Sequence, residues 1–185
     1  PPSPPAGSYV QVASDSNHAC ALTASGSARC WGSPLGGQTT PPAGTYSQLT
    51  VGDDYSCGLR TSGSMVCWGT GGLPTEESGP FSQISGGAEH VCALGVAGTL
   101  SCWGSDGGGQ TDVPGGTFVE VSAAGFHTCA IRVGGSISCW GEDDDGGNQP
   151  PPGSFVEIDA GRFHACARRA AGTVACWGGD SAVEF

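Results

Sequence analysis

Ala123-Ala124-Gly125-Phe126-His127-Thr128-Cys129-Ala130-Ile131, followed by Ser138-Cys139-Trp140-Gly141, decides the fold, because the chain carries this pattern five times. His18-Ala19-Cys20-Ala21-Leu22 leads to Cys30-Trp31-Gly32, and Tyr55-Ser56-Cys57-Gly58-Leu59 leads to Cys67-Trp68-Gly69. His90-Val91-Cys92-Ala93-Leu94 leads to Cys102-Trp103-Gly104, and His164-Ala165-Cys166-Ala167-Arg168 leads to Cys176-Trp177-Gly178. The two cysteines of a copy stand ten positions apart, and the period is 37, 35, 37 and 37 residues. A constant period of this length marks a solenoid, propeller or array.

Around this pattern each copy repeats a proline-bearing opener and a short segment of β-formers. The segments are Tyr9-Val10-Gln11-Val12, Tyr46-Ser47-Gln48-Leu49, Phe81-Ser82-Gln83-Ile84, Phe118-Val119-Glu120-Val121 and Phe155-Val156-Glu157-Ile158. They read as a first strand, and the His or Tyr six residues on opens a second. Gly26, Gly63, Gly98, Gly135 or Gly172 then marks a hairpin turn before a third strand ending at Cys-Trp-Gly. No stretch has a helical period of useful length. The expectation is an all-β chain with three short strands per repeat. After a tail of residues 1–3, the repeats span 4–40, 41–79, 80–113, 114–150 and 151–185.

Pairing the second and third strands about the turn sets Leu22 opposite Ala28 and Cys20 opposite Cys30. Opposed residues of an antiparallel pair lie within disulfide reach. The same register joins Cys57 to Cys67, Cys92 to Cys102, Cys129 to Cys139 and Cys166 to Cys176. Each bridge limits the unfolded chain by roughly 2–3 kcal/mol in the chain-entropy model. Disulfides at this density imply an oxidising compartment, hence a secreted or cell-surface protein.

The motifs Pro-x-Gly-x-Phe-x-x-Val, Gly-x-x-His-x-Cys-Ala-Leu, Gly-x-x-x-Cys-Trp-Gly and Gly-Gln resemble the repeats of the regulator of chromosome condensation superfamily. The cysteine-bearing form is similar to the repeats of Crinkly-type plant receptor ectodomains. The short period also resembles the propeller-type β-lactamase inhibitor of Streptomyces. The resemblance runs from Pro4 to Gly178 and implies a β-propeller with one blade per repeat. The family usually has seven blades and five repeats are present, so the array is either a five-bladed ring or part of a longer one. Repeat 2 lacks Gly-Gln and has a connector two residues shorter. Arg168 stands where the other copies have Leu22, Leu59, Leu94 and Ile131.

Charge narrows the function. The net charge is −11, and the six cationic residues are all Arg. Nucleic-acid binding needs a basic stripe, so neither it nor the founding member's chromatin binding and nucleotide exchange is expected here. Without Lys there is no P-loop lysine or Schiff base. No apolar run is long enough to cross a bilayer, so no membrane insertion is expected. The first residues carry no secretory leader, as in a mature chain or a piece of a longer one.

His18, His90, His127 and His164 share one repeat position with Tyr55. Exchange with Tyr fits a structural hydrogen bond better than a metal ligand. Phe126-His127-Thr128-Cys129 and Gly179-Asp180-Ser181 superficially match serine-protease fragments, but no buried Asp partner completes a triad. Asp143, Asp144 and Asp145 form the one concentrated acidic loop, a weak Ca²⁺ candidate whose spacing does not match an EF-hand. The periodic Trp residues read as packing groups, with lectin platforms as the alternative. No cofactor is expected.

The loops between first and second strands differ in chemistry from copy to copy, and in a propeller they gather on one face. Asp53, Asp54, Glu89, Phe126, Arg162 and Phe163 are therefore the expected contact surface for another protein or another copy of this chain. The reading is a non-catalytic binding or assembly scaffold. The alternatives are a carbohydrate-binding propeller and, less favoured, a hydrolase with a site on one face.

Overall fold

The computed structural model describes residues 4–143 and 146–179. The described chain is all-β, in five antiparallel sheets. Blade 1 holds β1 (Gln11–Ser14), β2 (His18–Leu22) and β3 (Ala28–Gly32). Blade 2 holds β4 (Tyr46–Val51), β5 (Tyr55–Arg60), β6 (Met65–Gly69) and β7 (Glu76–Glu77). Blade 3 holds β8 (Phe81–Gly86), β9 (His90–Gly95) and β10 (Leu100–Gly104). Blade 4 holds β11 (Phe118–Ala124), β12 (His127–Arg132) and β13 (Ile137–Gly141), and blade 5 holds β14 (Glu157–Ala160), β15 (His164–Arg168) and β16 (Val174–Gly178).

Two details differ from the sequence expectation. The short connector of repeat 2 folds back on its own blade, so β7 pairs with β6 as a fourth strand. The first strands also run further toward the variable loops, and in blade 1 the strand begins only at Gln11. In blades 2, 3 and 4 an extra residue after the opening aromatic shifts the register between first and second strands. Such a bulge bends the strand and adds twist.

The hairpins hold the expected register, with Cys20 opposite Cys30 and Leu22 opposite Ala28. All five turn glycines have φ between 82° and 91°, a conformation L side chains rarely adopt. The cysteines are bridged in pairs within each hairpin.

The apolar core lies between the blades. Each of the first four sheets has a forward face, with Cys20 and Leu22 in blade 1, that packs on the rear face of the next. There Tyr46, Leu49, Val51 and Val66 receive it. Cys57, Leu59 and Met65 meet Ile84, Val91 and Ala93, while Cys92 and Leu94 meet Phe118, Val121 and Trp140. Cys129 and Ile131 meet Phe155, Ile158 and Ala167.

A polar seam runs beside each core. The Gln11 amide donates to the Leu49 carbonyl and accepts from the Leu49 N–H, both at 2.9 Å. Gln48 does the same to Ile84, and Gln83 to Val121. Thr50, Ser85 and Ser122 accept the N–H groups of Gly86, Ala123 and Ala160, each at 2.9 Å. One side chain thus satisfies backbone groups that a buried first strand would otherwise leave unpaired.

Candidate binding face at the propeller axis

The first strands end around a common axis. Ala13, Ser14, Thr50, Val51, Gly86, Ala123, Ala124 and Ala160 line a cleft of about 350 Å³, together with the charged Asp15, Asp53 and Arg162. The loops around it are tied to one another. Asn17 donates its side-chain amide to the Asp53 carbonyl at 3.2 Å. The Asp53 N–H donates to the Ala88 carbonyl, and the Ala88 N–H to the Gly125 carbonyl, both at 2.9 Å. Gly125 has φ +50°, and a Cβ there would stand 2.5 Å from the Arg162 carbonyl oxygen. The face is therefore a preorganised rim.

The six residues singled out from the sequence fall into two groups on it. Asp53, Asp54 and Glu89 line a groove of about 480 Å³ between blades 2 and 3, with Gly71 and Gly72 of the short connector on its wall. Phe126, Arg162 and Phe163 form the other group. The Arg162 guanidinium lies 5.9 Å from the Phe126 ring centre and 5.3 Å from that of Phe163, within cation–π range. Phe163 remains 49% exposed. Asp53 sits between the groups. Burial and the neighbouring Asp15 push its carboxyl above the usual carboxylate range, and Arg162 opposes the shift. Asp15, not among the six, belongs to the same surface; its place at the start of the repeat 1 loop was the signal for it.

The other candidates lie away from this face. His18, His90 and His127 are buried between blades. His18 Nε2 meets the Ser56 hydroxyl at 2.7 Å, and His90 Nε2 meets that of Thr128 at 2.8 Å. Burial lowers the pKa of all three, that of His90 to about 4. The Tyr55 hydroxyl donates instead to backbone carbonyls of Gly87 and His90. The Trp68, Trp140 and Trp177 indoles donate to the carbonyls of Gln38, Gln110 and Gly147 in the preceding connectors, at 2.8, 3.0 and 2.8 Å. Asp143 accepts the Asn148 N–H at 2.8 Å, as Asp106 accepts that of Thr111 in repeat 3. Its neighbours Asp144 and Asp145 lie outside the described residues, as do Asp180 and Ser181.

Residues 9–38 and 155–182 match the family described as the regulator of chromosome condensation (RCC1) repeat. The match thus falls on the first and last of the five repeats. Among solved structures, the entire ectodomain of the Physcomitrella patens receptor kinase CR4 is 28% identical, with a TM-score of 0.72. The match covers 96% of this chain and 52% of that one. The CRINKLY WD40 ectodomain of the Arabidopsis thaliana receptor kinase ACR4 is 27% identical with a TM-score of 0.78, over 92% of this chain and 65% of that one. Prp20p of Saccharomyces cerevisiae, described with its binding to Gsp1p and histones, has a TM-score of 0.77 at 17% identity. That match covers 92% of this chain and 57% of Prp20p, and the likeness is one of fold alone. The chain thus spans between about half and two thirds of the length of these proteins. A search of curated protein sequences finds no match.

Proposed function

We propose that the chain is a non-catalytic scaffold of the extracellular space or cell surface, and that its axial face binds another protein. The observation that carries this reading is the split rim. Arg162, within cation–π range of Phe126 and Phe163, lines the axial cleft together with Asp53, and Asp53 joins Asp54 and Glu89 along the neighbouring groove. Aromatic residues and Arg commonly dominate binding energy, while an acidic border steers a basic partner. Five bridged hairpins fit an oxidising compartment, and the likeness to two receptor ectodomains supports the same setting. A hydrolase reading draws no support from the histidines buried between blades. A sugar-binding reading loses three indoles whose N–H groups are engaged by connector carbonyls.

The test is capture of partners from an extracellular fraction, followed by affinity measurement. Phe126→Ala and Phe163→Ala should each weaken binding by more than about 1 kcal/mol. Unchanged affinity in the double variant would move the site off the axial face.

A further inference from the structure

The inner edges of the first strands carry backbone groups that the rest of the chain leaves uncovered. The N–H groups of Asp15, Gly52, Gly87 and Gly161 donate to the carbonyls of His18, Tyr55, His90 and His164, at 2.8 to 3.1 Å. Antiparallel pairs alternate between bonded and non-bonded positions. The residue before each of these donors therefore turns its N–H and C=O away from the second strand and toward the axis. Those residues are Ser14, Val51, Gly86 and Ala160, with Ala123 at the same position in blade 4, and all five line the axial cleft. Thr50, Ser85 and Ser122 take the N–H groups of Gly86, Ala123 and Ala160. Ala13 stands where a hydroxyl would take that of Val51. Among the described residues, none of the five carbonyls accepts a hydrogen bond.

Asp15 and Asp53 add two carboxylates to the same cleft, and among the described residues neither forms an ion pair with Arg162. Five carbonyls and two carboxylates thus face the N–H groups of Ser14 and Val51 and one guanidinium. Burial, and then the fields of Asp15, Asp54 and Glu89, raise the Asp53 carboxyl against the opposition of Arg162. A cation placed beside Asp53 relieves that repulsion. The cleft volume, about 350 Å³, falls at the low end of small-ligand sites, roughly 300–1,000 Å³. Its apolar lining is mostly alanine, at 13, 123, 124 and 160, so the main chain stays within reach of whatever enters.

Resting on the protein-binding reading of this face, we infer that the axial cleft is a socket for an organic cation. Its ligand is a primary ammonium or guanidinium head on an aliphatic stem, as a Lys or Arg side chain of the partner presents. The head donates to the first-strand carbonyls and pairs with Asp53 and Asp15, and the stem lies against the alanines. Such heads carry donors and no acceptor, which suits a site rich in acceptors. A metal ion suits it less, because the described residues hold no group of three His, Cys, Asp or Glu that could bind one. The rim is already tied through Asn17, Asp53, Ala88 and Gly125, so binding needs little ordering.

Butylammonium and butylguanidinium, with 1-butanol as the neutral control, test the socket by nuclear magnetic resonance. The amide shifts of Val51, Gly86 and Ala123 should move saturably with either cation at millimolar concentration and stay still with butanol. Asp53→Asn keeps the backbone bonds of the rim and should weaken the response about fivefold. Adding Asp15→Asn should abolish it. Shifts confined to other residues, or equal shifts with butanol, would overturn the socket. Displacement of butylammonium by Ca²⁺ at the same concentration would make the cleft a metal site and overturn it too. A captured partner separates the socket from the reading beneath it. If its affinity falls with Phe163→Ala but not with Asp53→Asn, and butylammonium does not bind, the socket is lost and the protein-binding face stands. If butylammonium binds but no protein engages this face, the socket stands as a site for a small cation and the protein reading is lost.

Discussion

At the scale of the residue, one periodic position links stability to pH. A buried neutral imidazole folds with a lowered pKa, so the unfolded chain takes up protons first as pH falls. Stability is then full above about 6.5 and declines as pH drops toward the folded value, about 4 for His90. His90 alone should account for a loss on the order of 3 kcal/mol across that window. His18 and His127 shift in the same direction. Thermal melts between pH 7 and pH 4 should show the decline, and a flat profile would contradict it. His127 is the copy with a defect, because Ala165 stands where Ser56 and Thr128 offer hydroxyls and its Nε2 has no partner. His127→Tyr should therefore match or exceed the parent's melting temperature and flatten the acid limb. His127→Ala should lower the melting temperature by several degrees through the void it leaves.

The same reasoning applies to the polar seam. Glu120 accepts the Ile158 N–H but cannot donate to a carbonyl, and burial pushes its carboxyl above the usual range. Glu120→Gln restores the two-way contact that Gln48 and Gln83 make. It should stabilise the protein by about 1 kcal/mol at pH 7, measured by urea denaturation.

At the scale of the element, the bridged hairpin is the rigid unit, and a short first strand joins it to the axis. Removing one bridge by Cys57→Ala with Cys67→Ala should cost roughly 2–3 kcal/mol from loop entropy alone. Calorimetry of the double variant gives the check. This element was the most legible in the sequence. Two cysteines at constant separation, with Gly between them and Trp after the second, leave one register for the pair. The contacts between elements were hidden for a physical reason. Gln48 and Thr50 bind backbone groups of Ile84 and Gly86, and a backbone N–H or C=O has no letter of its own. The fourth strand of blade 2 was hidden because two glutamates carry no β signal, and only pairing with Met65 and Val66 makes them a strand. Of the axial face, the variable loops could be read off the period. The stacking of Arg162 on two rings and the nearness of Asp15 to Asp53 depend on how far neighbouring blades turn, which no residue states.

At the scale of the whole molecule, stability behaves as a sum over blades and the seams between them, as in other repeat proteins. A core residue in an interior seam should then matter more than its counterpart at an open end. Ile84→Ala should cost about 2–5 kcal/mol, while Val12→Ala, at the same repeat position in blade 1 and 65% exposed, should cost little. Comparing the two by chemical denaturation separates seam energy from blade energy.

The bridged hairpins also decide how the molecule responds to force. Pulled from its ends, the chain cannot draw out the residues between paired cysteines, because the load passes through the sulfur atoms. Only the openers, first strands and connectors are free to extend. Each blade therefore yields a short length and keeps its hairpin, and full extension requires a reductant. A domain built this way tolerates tension between its two ends without losing its five bridged hairpins.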